Sequence, residues 1–148
     1  MATKVIGWGK CKATHTPNSG TAAEHNDIIE NSTSLSVEEG EEQEALIEGG
    51  EAEARRKMPD KYILEYDRRL GSDDASVKPG FTDDAGTVKV IPPTTGAISV
   101  ELSGVSLYIS LRFDSTDGAV AHYTYKTKGA TNANGELTDV SLSTVAAS

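Results

Sequence analysis

The chain has 148 residues, of which 36% are hydrophobic and 14 are glycines, so it is long enough to fold around a modest core. Its formal net charge of −9 disfavours a nucleic-acid binder and docking on anionic lipid, because both require a basic surface. A single cysteine, Cys11, excludes an internal disulfide framework.

The first twelve residues contain no apolar run as long as a signal peptide needs, and no segment is apolar over the length of a membrane span. We therefore expect synthesis in a cytoplasm and no membrane partner. Lysines flank Cys11 on both sides and could lower the pKa of its thiol. Because no motif fixes a histidine beside it, an incidental thiol is the better interpretation.

One short helix is predicted over residues 25–30. Thr21 and Glu24 have the spacing of a capping box, which marks the start of a helix. The other periodic segments favour strands. The predicted fold is therefore mainly β: a small antiparallel β-sandwich or barrel with one short helix, in a single domain over residues 1–148.

Four strand candidates lie in the first half, at residues 33–37, 42–48, 51–57 and 61–69. The middle two are joined by Gly49-Gly50, a natural two-residue turn, so residues 41–57 are predicted to form a projecting β-hairpin. A helix over the same residues is the alternative by propensity, but two central glycines would cost it about 2 kcal/mol.

Charge is distributed unevenly around this hairpin. Residues 13–54 include eleven acidic side chains and no lysine or arginine, whereas residues 55–69 are rich in both. A two-residue turn fixes the cross-strand pairs. One face would pair Glu42 with Lys57, Glu44 with Arg55, Leu46 with Glu53 and Glu48 with Glu51; the other would pair Gln43 with Arg56, Ala45 with Ala54 and Ile47 with Ala52.

Opposite charges directly across a sheet contribute about 0.2–1 kcal/mol each, so ion pairs would hold the base of the hairpin together. Its tip would gather Glu48, Glu51 and Glu53 without partners. An isolated two-stranded hairpin is marginal in water, and a closed ring of such hairpins removes its exposed edges. The simpler alternative is a solvated acidic hairpin that only aids solubility.

The second half begins with residues 71–86, a long stretch without periodicity that predicts a functional or disordered loop. Residues 98–102 and 105–113 then alternate as half-buried strands. The Ser103-Gly104 turn predicts that they form a hairpin, with Val100 opposite Leu107.

A five-residue loop at 114–118 predicts a third strand of the same meander. It would pair Phe113 with Ala119, Leu111 with Ala121, Ile109 with Tyr123 and Leu107 with Tyr125. A last strand is expected from about Leu137 to Val145, after a turn at 132–135.

The segment from Ser34 to Asp67, SLSVEEGEEQEALIEGGEAEARRKMPDKYILEYD, resembles the central region of phage major tail proteins, or tail tube proteins. The N-terminal VIGWGKCK and the late YTYKTKG are compatible with that family. The resemblance implies a structural protein without a cofactor. Its subunits would form hexameric rings that stack into a tube and contact other tail proteins, and DNA would pass through the tube without specific binding.

In that case the hairpins would join into one inner β-barrel. The lumen-facing candidates are Glu42, Glu44, Glu48, Glu51 and Glu53, and the candidates for inter-subunit ion pairs are Arg55, Arg56 and Lys57. An acidic lumen repels phosphates and lets DNA slide. Loop 71–86 would be a candidate for contact between rings. The expected location is the virion, although bacterial injection machines share this architecture.

Motifs of enzyme chemistry are not found: the sequence has no GxSxG, HExxH, CxxC or Walker-type loop. Its histidines at 15, 25 and 122 lack metal-ligand spacing, and the paired aspartates at 73–74 and 83–84 read as turn residues. We therefore expect no enzyme. The alternatives are a β-sandwich module that decorates a capsid or adheres to a cell surface and, less favoured, a small carbohydrate-active domain.

Overall fold

The structure is a computed structural model. It describes residues 7–18, 21–29, 32–40, 42–46, 52–57, 59–74, 77–116, 118–134 and 136–145, with the backbone alone at 42–46 and 52–57. Twelve strands are assigned: β1 Lys12–Thr16, β2 Ala23–His25, β3 Ser34–Glu38, β4 Glu42–Leu46, β5 Ala52–Lys57, β6 Lys61–Arg69, β7 Gly80–Thr82, β8 Thr87–Ile91, β9 Ile98–Leu102, β10 Ser106–Asp114, β11 Gly118–Lys126 and β12 Val140–Thr144.

The strands form two five-stranded antiparallel sheets and one two-stranded sheet. The order is β12-β9-β8-β1-β2 in the first sheet and β3-β6-β11-β10-β7 in the second, and β4 pairs with β5. Both five-stranded sheets contribute to one core, which includes Ala13, Val88, Val90, Val100 and Leu102 from the first and Leu64, Tyr66, Leu107, Ala121, Tyr123 and Tyr125 from the second. The predicted β-sandwich is confirmed, and over the described residues it does not close into a barrel.

A bent ribbon joins the two sheets. β7 pairs with β10 in the second sheet and β8 pairs with β9 in the first. Between these ladders Ala85 N–H donates to Val105 O at 2.8 Å, and Val105 N–H donates to Gly86 O at 3.1 Å. The two chain segments therefore stay paired while they cross together from one sheet to the other, as strands do at the corner of a sandwich.

This crossing shows that the predicted hairpin between β9 and β10 is wrong. β9 pairs with β8 and β12, whereas β10 pairs with β7 and β11. Ser103-Gly104 is a bend between sheets, with Gly104 at φ 61°. Alternation could not separate the two arrangements, because Val100 and Leu107 face the core in both.

The register between β10 and β11 is confirmed throughout. Phe113 lies opposite Ala119, Leu111 opposite Ala121, Ile109 opposite Tyr123 and Leu107 opposite Tyr125. The turn contains Asp114, whose Oδ1 accepts from Thr116 N–H at 2.9 Å, as turn aspartates do.

The predicted helix at 25–30 is wrong where the structure describes the chain. Ala23–His25 is strand β2 at the edge of the first sheet, and Ile28 then forms a bridge with Arg68 at the edge of the second. In the described residues the one helical segment is a 3₁₀ turn, Ser72–Asp74. Residues 23–28 connect the two sheets along one side, and pairing with β1 and β6 satisfies backbone groups that a helix would have paired internally.

Strands β1, β2, β7 and β8 were not predicted, and β7 lies inside the predicted 71–86 loop. The last strand begins at Val140, three residues after Leu137, which forms an isolated bridge with Thr131. Gly86 is required at the start of β8: it has φ 90°, and a Cβ there would lie 2.2 Å from Thr16 O. The bridge between Leu137 and Thr131 and the close approach of Gly86 to Thr16 leave no pattern in the local sequence.

Candidate functional site

The two-stranded sheet of β4 and β5, which we call the arm, continues the hairpin of β3 and β6. In the body of the protein Glu38 lies opposite Lys61. Four residues further along each strand, Glu42 lies opposite Lys57. The two ladders therefore share one register, in which β4 and β5 continue β3 and β6.

Within the described residues, the arm is hydrogen-bonded as a sheet to neither five-stranded sheet. The other neighbour of β6 is β11, whose ladder ends where Lys126 pairs with Ile63. Beyond this point the hairpin has no third strand beside it in the described part of the chain. Its outer backbone edges are the kind that another chain can pair with.

The predicted register of the arm is confirmed at its base. Glu42 lies opposite Lys57, Gln43 opposite Arg56, Glu44 opposite Arg55 and Ala45 opposite Ala54. The three basic candidates and two of the acidic candidates are therefore brought together, and opposite charges face each other at two positions.

The register shifts beyond Ala45, so the predicted pair of Leu46 with Glu53 is wrong. Leu46 pairs with Ala52, which leaves Glu53 as the extra residue of a bulge in β5. A bulge increases the local twist of a ribbon and could not be foreseen from an ideal two-residue turn. Glu48, Glu51 and the pairs predicted for them and for Ile47 lie outside the described residues.

The outer face of the second sheet carries a histidine–aspartate contact and two exposed aromatic residues in register. His122 Nδ1 lies 2.6 Å from Asp67 Oδ1, its direct cross-strand neighbour. His122 is therefore half-exposed and bonded across the sheet. Phe81 and Tyr108 also lie directly opposite each other, with 66% and 50% of their surface exposed.

A buried polar network lies between the sheets. His25, on β2, has its Nδ1 2.6 Å from the Tyr66 hydroxyl, which in turn lies 2.9 Å from the Tyr125 hydroxyl. Both tyrosines are fully buried and His25 is 7% exposed. Burial lowers the pKa of His25 to about 4, with a contribution from the positive charge of Arg68. Burial likewise raises the pKa values of Tyr66 and Tyr125.

Arg68 forms the charged part of this network. Its Nε donates to Asp27 Oδ1 at 2.7 Å, one terminal nitrogen donates to Asp74 Oδ1 at 2.6 Å, and the other donates to the Tyr123 hydroxyl at 3.3 Å. Asp74 also accepts from Gly71 N–H at 2.8 Å, and this bond, with Arg68, lowers the pKa of its carboxyl. The guanidinium thereby ties β6 to two loops.

The network was not predicted. His25, the partner of the Tyr66 hydroxyl, was placed in the predicted helix, whereas it lies at the end of β2. The hydroxyls of Tyr125 and Tyr123 find their partners on β6, in Tyr66 and Arg68. The rings of Tyr66 and Tyr123 are stacked, with centroids 5.2 Å apart. This stacking adds to the contacts that hold β6 against β11.

Two surface clefts lie at the Arg69 end of β6. The larger has a volume of about 430 Å³ and is lined by Lys10, Asp27, Ile28, Ile29 and Arg69. The smaller, of about 200 Å³, is lined by Leu70, Gly71, Asp74, Val77, Leu111, Phe113 and Ala119. Cys11 is buried, and burial raises the pKa of its thiol, opposite to the effect that the flanking lysines suggested.

The described part of the chain contains no group of three or more histidine, cysteine, aspartate or glutamate side chains that could hold a metal ion. It also contains no helix that is long and apolar enough to cross a bilayer. No known protein family matches the sequence, and no characterised protein is significantly similar to it. The functional proposal below is based on the arm, whose outer edges are unpaired in the described residues.

Proposed function

We propose that this chain is a structural subunit that assembles with copies of itself through the arm, forming rings that stack into a phage-type tail tube. The observation that carries the proposal is the arm's register. The arm extends the β3–β6 hairpin past the end of β11 and, within the described residues, pairs with no other strand. A two-stranded ribbon of this kind is marginal alone and is stabilised when its edges are paired.

Rotational symmetry explains how identical arms can pair all of their free backbone edges with one another. In a ring, β4 of one copy lies beside β5 of the next, and the strands alternate in direction around the circle. This head-to-tail contact closes when the rotation between copies divides a full turn. Every arm edge is then paired, which an open chain of copies does not achieve.

The charge pattern supports a polar lumen. Positions 38 and 42, and positions 57 and 61, are each separated by four residues, so in an extended ribbon they belong to the same face. The face that holds Glu38 and Lys61 in the body continues into the positions of Glu42, Glu44, Arg55 and Lys57. In a tube this face lines the lumen, where the excess of glutamate over the arm repels the phosphates of a passing DNA.

A charge exchange in the arm tests this proposal. Glu44→Arg places two like charges opposite each other at the Arg55 position, which weakens the arm by up to about 1–2 kcal/mol per copy. We expect the concentration at which assemblies form to rise several-fold, because every copy in a ring contributes the same loss. Sedimentation velocity over a concentration series measures it.

The double variant Glu44→Arg/Arg55→Glu restores opposite charges and should return assembly to near the wild-type concentration. The matched control is Lys126→Glu, which disrupts an ion pair with Glu38 at 2.6 Å on the body. We expect the control to assemble as the wild type does. If the single and double variants assemble at the same concentration, the arm is not part of the interface between copies.

A second candidate function is an adhesion or decoration module. It is favoured by the exposed aromatic pair of Phe81 and Tyr108, since neighbouring aromatic rings on a sheet are a common contact surface for a partner. A protein that stays monomeric but loses binding to its host surface when Phe81 is changed to Ser would support this function over the tube.

A further inference from the structure

At the joint between the arm and the body, the ladder of β3 with β6 ends at Glu38 and Lys61, and the ladder of β4 with β5 begins at Glu42 and Lys57. Gly40 N–H donates to the Asp60 side chain at 2.9 Å instead of to a carbonyl of the facing strand. Pro59, which lies opposite Gly40 in this register, has no N–H to donate. Neither Gly40 nor Pro59 therefore extends the ladder with an N–H group, so contacts from outside the hairpin bear on the direction of the arm.

Gly129 provides one such contact. It has φ 83°, and a Cβ at this position would lie 3.1 Å from Pro59 Cβ and 3.5 Å from Asp60 O. The loop that contains Gly129 thus lies directly against the joint, and an added methyl group fits only if Pro59 shifts. Thr127, at the start of this loop, is bonded to β6: its N–H donates to Tyr62 O at 3.0 Å, and its Oγ1 accepts from Tyr62 N–H at 2.8 Å.

Asp139 holds the loop in place. Its Oδ2 accepts from Gly129 N–H at 2.9 Å and from Ala130 N–H at 3.0 Å. Its carbonyl accepts from Ser103 N–H at 2.9 Å, which ties it to the bend between the sheets. Asp139 is 5% exposed, and its Oδ1 has no hydrogen-bond partner among the described residues. Burying a carboxylate with one unbonded oxygen costs stability. We therefore infer that the two hydrogen bonds from Asp139 to the loop are the role of this residue.

We propose that Asp139 and Gly129 form a brace that fixes the direction in which the arm leaves the body, and that this direction positions the arm for pairing with a second copy. The inference rests on the proposed function only in its second half. The brace connects the first sheet, through Asp139 next to β12, to the base of the arm, which continues the β3–β6 hairpin of the second sheet.

The test measures the direction of the arm in dilute monomer, so it does not depend on assembly. Spin labels are attached at Gln43→Cys in the arm and at Ser141→Cys on the exposed edge of the first sheet, in a Cys11→Ala background. Pulsed electron–electron double resonance then gives the distribution of distances between the two labels. In Gly129→Ala we expect the mean to shift by about 3–4 Å or the distribution to broaden by that much, for a tilt of about 20° over the roughly 10 Å of strand between Gly40 and Gln43.

Gly118→Ala is the matched control. Gly118 also has a positive φ, 71°, but a Cβ there would meet nothing within 4 Å. Both variants therefore strain the backbone, and only Gly129→Ala presses on Pro59. Asp139→Ala should broaden the distribution as Gly129→Ala does, whereas Asp139→Asn, which keeps one oxygen for the two N–H groups, should stay close to wild type.

Unchanged distances in Gly129→Ala and Asp139→Ala, or equal changes in Gly118→Ala, would overturn the brace. A displaced arm in a variant that still assembles at the wild-type concentration would overturn its link to assembly. If the wild type does not assemble, the proposed function fails while the distance measurement still decides the brace.

Discussion

Replacing Arg68 with methionine should lower the free energy of unfolding by about 2–3 kcal/mol. The methionine keeps much of the length of the side chain but removes every bond to Asp27, Asp74 and Tyr123. The side chain of Asp74 is 20% exposed and that of Asp27 is 43% exposed, so water replaces part of what the two carboxylates lose. The buried Tyr123 hydroxyl and the less exposed Asp74 account for most of the loss.

Urea unfolding followed by tryptophan fluorescence measures this change, since Trp8 is the one tryptophan of the chain. The control is Arg112→Met, because Arg112 is bonded to Asp114 at 3.2 Å with 56% of its side chain exposed. An exposed pair contributes about 0–1 kcal/mol, so the control should be close to wild type. Similar losses in the two variants would show that the Arg68 network does not stabilise the sandwich.

The second large effect is a loss of stability between pH 6.5 and pH 4 that depends on His25. Burial and the charge of Arg68 lower the pKa of this histidine from 6.5 to about 4 in the folded protein. The unfolded chain therefore binds a proton at a higher pH than the folded protein does. Stability from the neutral histidine is complete above pH 6.5 and is lost as the pH falls towards 4, by up to about 3 kcal/mol.

The groups around His25 define the control. Tyr66 and Tyr123 lie beside its ring, and Arg68, Asp27 and Asp74 supply the nearby charges. His25→Gln removes the titration and leaves those charges in place. The free energy of unfolding of wild type relative to this variant should fall by about 3 kcal/mol between pH 7 and pH 4. Parallel pH profiles for the two proteins would contradict the buried, neutral histidine.

The fold could be predicted where local signals decide the pairing. The five-residue turn fixes β10 against β11, and the two runs of residues around Gly49-Gly50 place Glu42 opposite Lys57. In both cases the paired residues are close in sequence, although the predicted register of the arm holds only as far as Ala45 opposite Ala54. The mainly β class follows from the same alternation.

The sequence could not give the partners that come from distant segments. Alternation places Val100 and Leu107 towards the core but does not specify which sheet each strand joins. β2 is three residues long, and its pairing with β1 is too short to leave a pattern. The buried network depends on such distant partners. His25 reaches Tyr66 only because residues 23–28 cross between the sheets, so the sequence alone does not show that the two side chains are bonded.

Electron microscopy of the negatively stained wild-type protein, over a series of concentrations and salt conditions, tests the self-assembly of the chain most directly. If the arm completes its edges with the arms of other copies, hollow rings or tubes form as the concentration rises. Particles of monomer size at every concentration and salt condition would contradict the account.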